Sequence, residues 1–219
     1  MRKQRPRGTT TLEAVVNAAL VIADGTGVSG VKIRAVAELV SAPPMSLYTH
    51  FANKSELLDL MYIEVSRRMY VDSNRDTWQA ELSALCHNIG RVLSEHPRWA
   101  ELIGRPIPRL VVPVRERVLA MMVADGFAPE VAFAALASAV LTAIGLILAQ
   151  IATRDAGASS LETRFQNLKR LVASTPGGEH PVTSSAVAKI GHFDFDHTFN
   201  FAIDAMILGL QQLREENAR

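Results

Sequence analysis

The stretch VKIRAVAELVSAPPMSLYTHFANKSELL, residues 31–58, decides how the rest of the chain is read. Ile33, Val36, Ala37 and Val40 recur at helical spacing and predict a helix over 33–40. It stops at Ser41, Ala42, Pro43 and Pro44, because two prolines cannot lie inside a helix, although Pro44 can occupy the first turn of the next one. A very short helix is expected over 44–51. Asn53, with Glu56 three residues on, then caps a longer helix that carries Leu57, Leu58, Met61 and Val65 to about Val71. Two short helices about a tight turn, braced by a helix on either side, make a helix-turn-helix. Its second helix must offer a small, polar outer face, because it has to lie in a DNA major groove. Pro44, Met45, Ser46, Tyr48, Thr49 and His50 supply that face, while Leu47 and Phe51, four apart, point to the core. Hydroxyl and imidazole groups can bond phosphates or base edges, methyls of Met and Thr can touch thymine methyls, and Tyr48 is placed to give its hydroxyl to a phosphate.

Outward from this segment, nearly everything reads as helix. Leu12, Val15, Val16, Ala19, Leu20 and Ala23 share one face of a first helix, with Thr10 and Glu13 as a capping box and Gly25 and Gly27 as its end. Further helices are expected near 76–95, 111–124, 129–152, 161–173 and 195–215, with a short turn at 98–103. Residues 157–160 and 176–181 carry loop signals. No alternating run suggests a sheet. The expected fold is all-α: a three-helix DNA-binding domain with a basic arm over 1–54, then a larger helical domain for effector binding and dimerisation over 55–219.

Composition agrees with a globular protein: 48% of the 219 residues are hydrophobic and 21% charged. The net charge of +1 is unevenly spread, with nine Lys/Arg against six Asp/Glu in residues 1–70. Arg2, Lys3, Arg5 and Arg7 precede any acid, so this arm can reach phosphates or a minor groove, or else remain a solvated terminus. The one cysteine, Cys86, excludes an intrachain disulfide and fits a reducing cytosol. No secretory leader is visible, and a cytoplasmic location is expected. Residues 131–149 lack any charge and nearly reach membrane-spanning length. Ser138, Thr142 and Gly145 interrupt the stretch and no aromatic belt flanks it, so a helix buried in a dimer is expected and no membrane partner.

The quoted segment resembles the signature of the TetR family of repressors, without a gap, and its Leu47-Tyr48-Thr49-His50-Phe51-Ala52-Asn53-Lys54 core carries the likeness. The resemblance implies that Ile33 and Arg34 meet the DNA backbone, that Pro44, Met45, Ser46, Thr49 and His50 read bases and phosphates, and that Tyr48 and Lys54 bind phosphate. The chain departs from the pattern at Ser41, where the family has a turn glycine, and at Lys32, where it has a Ser/Thr cap. The segments 96–106, 125–138 and 199–210 look like the C-terminal domain of the tetracycline-repressor subgroup. That likeness implies a homodimer built as a four-helix bundle from the helices near 129–152 and 195–215, and release from a palindromic operator when a small molecule binds. Ala135, Ala139, Ala143 and Gly145 suit close packing there, and Ile203, Met206, Ile207, Leu210 and Leu213 form a stripe on the last helix.

Candidate effector contacts are Met61, His87, Trp99, Met121, Met122, Phe133 and Gln150, although each taken singly reads more simply as core; together they suit an apolar or aromatic effector with few polar handles. His192, Asp194, Asp196 and His197 could hold a metal, but Asp194 or Asp196 capping the last helix explains them more simply, and neither metal nor cofactor is expected. Arg115, Glu116 and Arg117 read as a solvated helix face. The rival reading is an all-helical small-molecule-binding protein or enzyme without DNA binding. An enzyme would need converging acid, base or metal groups, and no nucleophile elbow, phosphate loop or zinc-helix motif occurs.

Overall fold

The computed structural model describes residues 10–71, 74–154, 160–175 and 179–217. Among them ten α-helices and no strand are formed: α1 (Leu12–Thr26), α2 (Ile33–Leu39), α3 (Pro44–Leu47), α4 (Lys54–Met69), α5 (Trp78–Glu95), α6 (Val112–Ala124), α7 (Pro129–Arg154), α8 (Leu161–Ser174), α9 (Pro181–Lys189) and α10 (Phe195–Asn217). Short 3-10 turns at Val28–Gly30, Pro97–Leu102 and Arg109–Val111 complete the set. The chain divides into two compact units, one from Met1–Ser73 with Arg91–Arg117, the other from Asn74–Gly90 with Val118–Arg219. The division falls inside α5 and inside α6. The basic arm of residues 2–7 lies outside the described residues, as do most of the two loops expected near 157–160 and 176–181.

In the first unit α1 buries Val15, Val16, Ala19, Leu20 and Ala23, while Leu12 stays exposed. Its cap is Thr11 and not Thr10: the Thr11 hydroxyl accepts from the Ala14 N–H at 3.2 Å. The helix therefore starts one residue later than the Thr10–Glu13 pairing implies. Asn53 caps α4 as expected, its Oδ1 accepting from the Glu56 N–H at 3.1 Å. The Glu56 carboxylate returns to the Ala52 N–H at 2.6 Å, one residue before the usual capping-box partner.

Between α2 and α3 the chain turns by a Schellman arrangement. The Ala42 N–H donates to the Ala37 carbonyl at 2.9 Å and the Ser41 N–H to the Glu38 carbonyl at 3.1 Å. Ser41 takes φ 54°, so the turn keeps the left-handed conformation that glycine would adopt without strain. Lys32 begins α2 without a side-chain cap.

The chain returns to this unit after α5 and grips it through residues 96–105. His96 Nδ1 lies 3.0 Å from the Asp24 carboxylate, and Arg98 donates to the Gly25 carbonyl at 2.9 Å. The Val28 N–H donates to Glu101 at 3.0 Å. Arg105 reaches α4, with Nε donating to Asp59 at 2.6 Å and Nη2 to the Ser55 carbonyl at 2.9 Å. Buried Trp99 sits at the centre of this segment, stacked on His96 with centroids 3.6 Å apart.

In the second unit α7 buries Ala132, Ala135, Leu136, Ala139, Val140, Ala143 and Ile147, and packs along α10. Gly90 on α5 lets the Phe199 ring approach so closely that a Cβ would lie 3.0 Å from its Cζ. Trp78 donates its indole N–H to Asp125 at 2.7 Å, and Arg214 pairs with the same carboxylate at 2.8 Å. Both bonds, the indole's first, hold Asp125 below the ordinary carboxylate range. No apolar periodicity announces α9; Pro181 opens it, in the first-turn position that proline tolerates. α7 is long and apolar enough to cross a membrane, but 39% of its most apolar stretch is already buried in the chain's own interior.

Ser41→Gly should stabilise the protein by about 1 kcal/mol, since it removes the cost of a left-handed β-carbon against a smaller loss of unfolded-chain entropy. Urea unfolding of the two forms, compared at matched slope, checks this; equal or lower stability of the glycine form would contradict the strained-turn account.

Candidate DNA-binding surface

Four residues are too few for a helix to persist alone, so α3 depends on what it is fastened to. Leu47, fully buried, and Phe51, almost so, are the fastening, and both expected inward positions are met. With those two sides committed, Pro44, Met45, Ser46, Tyr48 and Thr49 face outward, Met45 at 76% exposure and Tyr48 at 43%. Tyr48 is steadied by Phe51, centroids 5.9 Å apart. His50 is half-buried.

The hydroxyls on this face are already engaged with their own backbone. Ser46 donates to the Pro43 carbonyl at 2.7 Å, and Thr49 to the Ser46 carbonyl at 2.8 Å. Each oxygen keeps its lone pairs outward, so these residues are better disposed to accept than to donate. Ile33, the half-buried first residue of α2, and exposed Arg34 lie at that helix's start. Lys54, the first residue of α4, is exposed and reaches the Ser29 carbonyl with a long contact of 3.4 Å. A solvated ammonium with so weak a tether can swing to a phosphate. All nine residues assigned to DNA thus belong to the first unit, seven of them exposed and Ile33 and His50 half-buried.

The seven effector candidates are divided between the units. Met61 and Trp99 are buried in the first, where the Trp99 indole N–H faces the Leu20 carbonyl at 3.4 Å. His87, Met121, Met122, Phe133 and Gln150 belong to the second. There His87 is held by the Ser83 carbonyl at 2.7 Å and by Asn200 at 2.8 Å, with Phe199 at its ring edge. Met121 lines a surface cleft of about 410 Å³ beside Trp78, Asp125 and Arg214; Met122 is buried and Phe133 exposed. Gln150 is half-buried, with an enclosed Oε1 that has no partner. Asp194 accepts from the His197 N–H at 2.9 Å, as a helix cap does.

Sequence reasoning missed the grip of Arg98, Glu101 and Arg105 on the helix-turn-helix unit. The Gly104-Arg105-Pro106 run was visible, but nothing local says that an arginine in a loop will find a carboxylate 46 residues earlier. It also misread Arg115, which is not on a solvated face: its guanidinium lies over the Tyr70 ring at 5.7 Å and its Nε is enclosed.

A buried-anchored short helix, packed on α2 in a unit where α1 packs on both α2 and α4, and offering small polar side chains outward, defines a helix-turn-helix protein. Comparison with known proteins narrows the class. The family profile described as "Tetracyclin repressor-like, C-terminal domain" matches residues 71–214. The chain is 31% identical to the HTH-type transcriptional repressor DrrR1 of Streptomyces coeruleorubidus, over 95% of this chain and 80% of that protein. It is 25% identical to the class G tetracycline repressor of Vibrio anguillarum, over 91% and 93% of the two chains. The solved structure of the Streptomyces coelicolor TetR family protein ActR, in complex with actinorhodin, superposes with a TM-score of 0.77 at 22% identity, covering 96% and 99%. The chain belongs to the TetR family, non-enzymatic transcriptional regulators with an N-terminal helix-turn-helix and a helical ligand-binding domain.

Replacing Tyr48 by Phe or Lys54 by Ala should weaken DNA binding about equally on all sequences, with Lys54→Ala lowering the salt slope by about 1. Met45→Ala and Thr49→Ala should instead change base preference. Fluorescence anisotropy across a salt series separates the two behaviours; an unaltered slope in Lys54→Ala would remove that lysine from the interface.

Proposed function

We propose that this chain is a homodimeric repressor that binds a palindromic operator through Ile33, Arg34, Pro44, Met45, Ser46, Tyr48, Thr49, His50 and Lys54, and leaves it when a small apolar or aromatic effector binds. The observation that carries the reading is the outward face of α3, held in place by Leu47 and Phe51. One such helix reads only a few base pairs. A two-fold pair repeats it one DNA turn away, about 34–36 Å, and so expects a palindrome.

The second copy is supported by what the second unit leaves uncovered. Phe133, Leu141 and Leu148 line one side of α7, opposite its buried alanines. On α10, Phe201 and Leu208 lie outward at 67% and 64% exposure, seven residues apart, while Ile203 and Leu210 lie inward with the same spacing. Two such helices from each of two chains make a four-helix interface. That interface also accounts for the apolar character of α7 in a soluble cytoplasmic protein. The small residues divide differently from a simple contact stripe: Ala135, Ala139 and Ala143 serve the protomer's own core, and exposed Gly145 is open to a partner.

A ligand that prefers a wrongly spaced form lowers DNA affinity by its coupling free energy, roughly 5–150-fold for 1–3 kcal/mol. The relatives accord with this: one is named a transcriptional repressor, and a fold neighbour was solved with actinorhodin bound. Selection of bound sequences from random DNA should return a two-fold symmetric site. Leu141→Asp combined with Leu208→Asp should yield monomers by analytical ultracentrifugation and lose the palindromic site. Tight, symmetric binding by a monomer would refute the dimer reading.

A further inference from the structure

Along one side of α4 and its C-terminal cap, spaced four residues apart, stand Tyr62, Ser66 and the cap residue Tyr70, all buried. Arg115 of α6, within the same unit, lies over the last of them, its guanidinium 5.7 Å from the centre of the Tyr70 ring, and its charge also acts on the Tyr62 phenol. Two polar atoms here lack partners. The Ser66 side chain is fully buried, and its Oγ neighbours the Tyr62 phenol without completing a hydrogen bond of good geometry. The Arg115 Nε is likewise enclosed and unmatched. Leaving such groups unpaired is costly, more so for a charged one, so a core selected only for stability would replace them by apolar residues. Met61, Val65 and Met69 beside them show that apolar residues fill the rest of that helix face.

We propose that Tyr62, Ser66, Tyr70 and Arg115 form the polar end of the effector site, and that they select an aromatic effector carrying a carboxylate or phenolate. This rests on the ligand-release reading and deepens it. The guanidinium is a fixed cation with planar donors suited to a carboxylate. Ser66 and the two phenols add neutral donors. Burial holds the Tyr62 phenol above its ordinary value, with Tyr70 reinforcing this and Ser66 and Arg115 opposing it, so its proton is retained at neutral pH. The Tyr70 ring holds Arg115 by a cation–π contact. An effector oxygen then supplies the acceptor that the Arg115 Nε lacks.

The test is calorimetric titration of the full-length protein with 2-naphthoate and its neutral analogue 2-naphthamide. The naphthoate should bind more tightly by about tenfold, the scale of one hydrogen bond to a charged group. Arg115→Met should bring the two affinities within about twofold while leaving naphthamide binding intact. Arg164→Met, which removes an exposed cation of α8, should leave the ratio unchanged. Ser66→Ala should weaken naphthoate binding while raising or preserving the melting temperature, because the variant loses an unpaired polar group. A merely structural serine would do the reverse, with a lower melting temperature and unchanged affinity. Equal affinities in the parent protein, binding of neither probe, or a preference that survives Arg115→Met each overturn the proposal. Release of the selected operator is measured separately, so a failure of the regulator reading appears there and not in the calorimetric ratio.

Discussion

The burial of Leu47 and Phe51 is the constraint on which the geometry of α3 rests. Helix nucleation is unfavourable, and a single turn opened by prolines holds its shape only when tertiary contacts supply what local hydrogen bonds cannot. Once those two side chains are seated, the rotation of α3 about its own axis is fixed, and with it the directions of Met45, Tyr48 and Thr49. Ser41 fixes the approach from the other end, since its left-handed turn sets the angle at which the chain leaves α2. Proline, serine and two apolar anchors thus determine a surface whose own side chains contribute little to its stability.

A second layer of control comes from the segment that returns after α5. Its contacts reach the end of α1, the turn after it and the first turns of α4, through Asp24, Gly25, Val28, Ser55 and Asp59. Most of these bonds are partly exposed, where a single ion pair contributes little. Their value lies in number and direction: they attach to three separate places on one small unit, so that the orientation of α1 and α4 is specified by more than their shared apolar core. α4 serves both layers, since its N-terminal turn carries Lys54 and its far half, with the Tyr70 cap, carries the Tyr62–Ser66–Tyr70 row.

Much of this was legible in the sequence. Apolar spacing located α1, α2, α4, α5, α7 and α10 to within a few residues, because each buries one continuous face. The proline pair fixed where α3 begins, and the inward roles of Leu47 and Phe51 followed from a spacing of four. What could not be read was decided by distant partners. α9 buries only Val187, so it carries no stripe to recognise. Arg115 sits between Val114 and Glu116 in a charged run that looks solvated, and only the position of Tyr70 makes it otherwise. The cap of α1 moved from Thr10 to Thr11 because neighbouring threonines are chemically equivalent and backbone geometry chooses between them. The effector candidates rest on residue type and helical placement, and neither says which side of a helix faces a neighbour.

The doubling back of residues 91–117 onto the first unit makes that unit topologically discontinuous. A reading head assembled from one unbroken stretch could be excised and transplanted as a cassette. Here, cutting the chain after α4 would strip away the indole wedged against α1 and strand Asp24, Asp59 and the Val28 amide in water. Shuffling such a head onto another sensor therefore requires carrying the returning segment with it, and the graftable module is a pair of separated pieces.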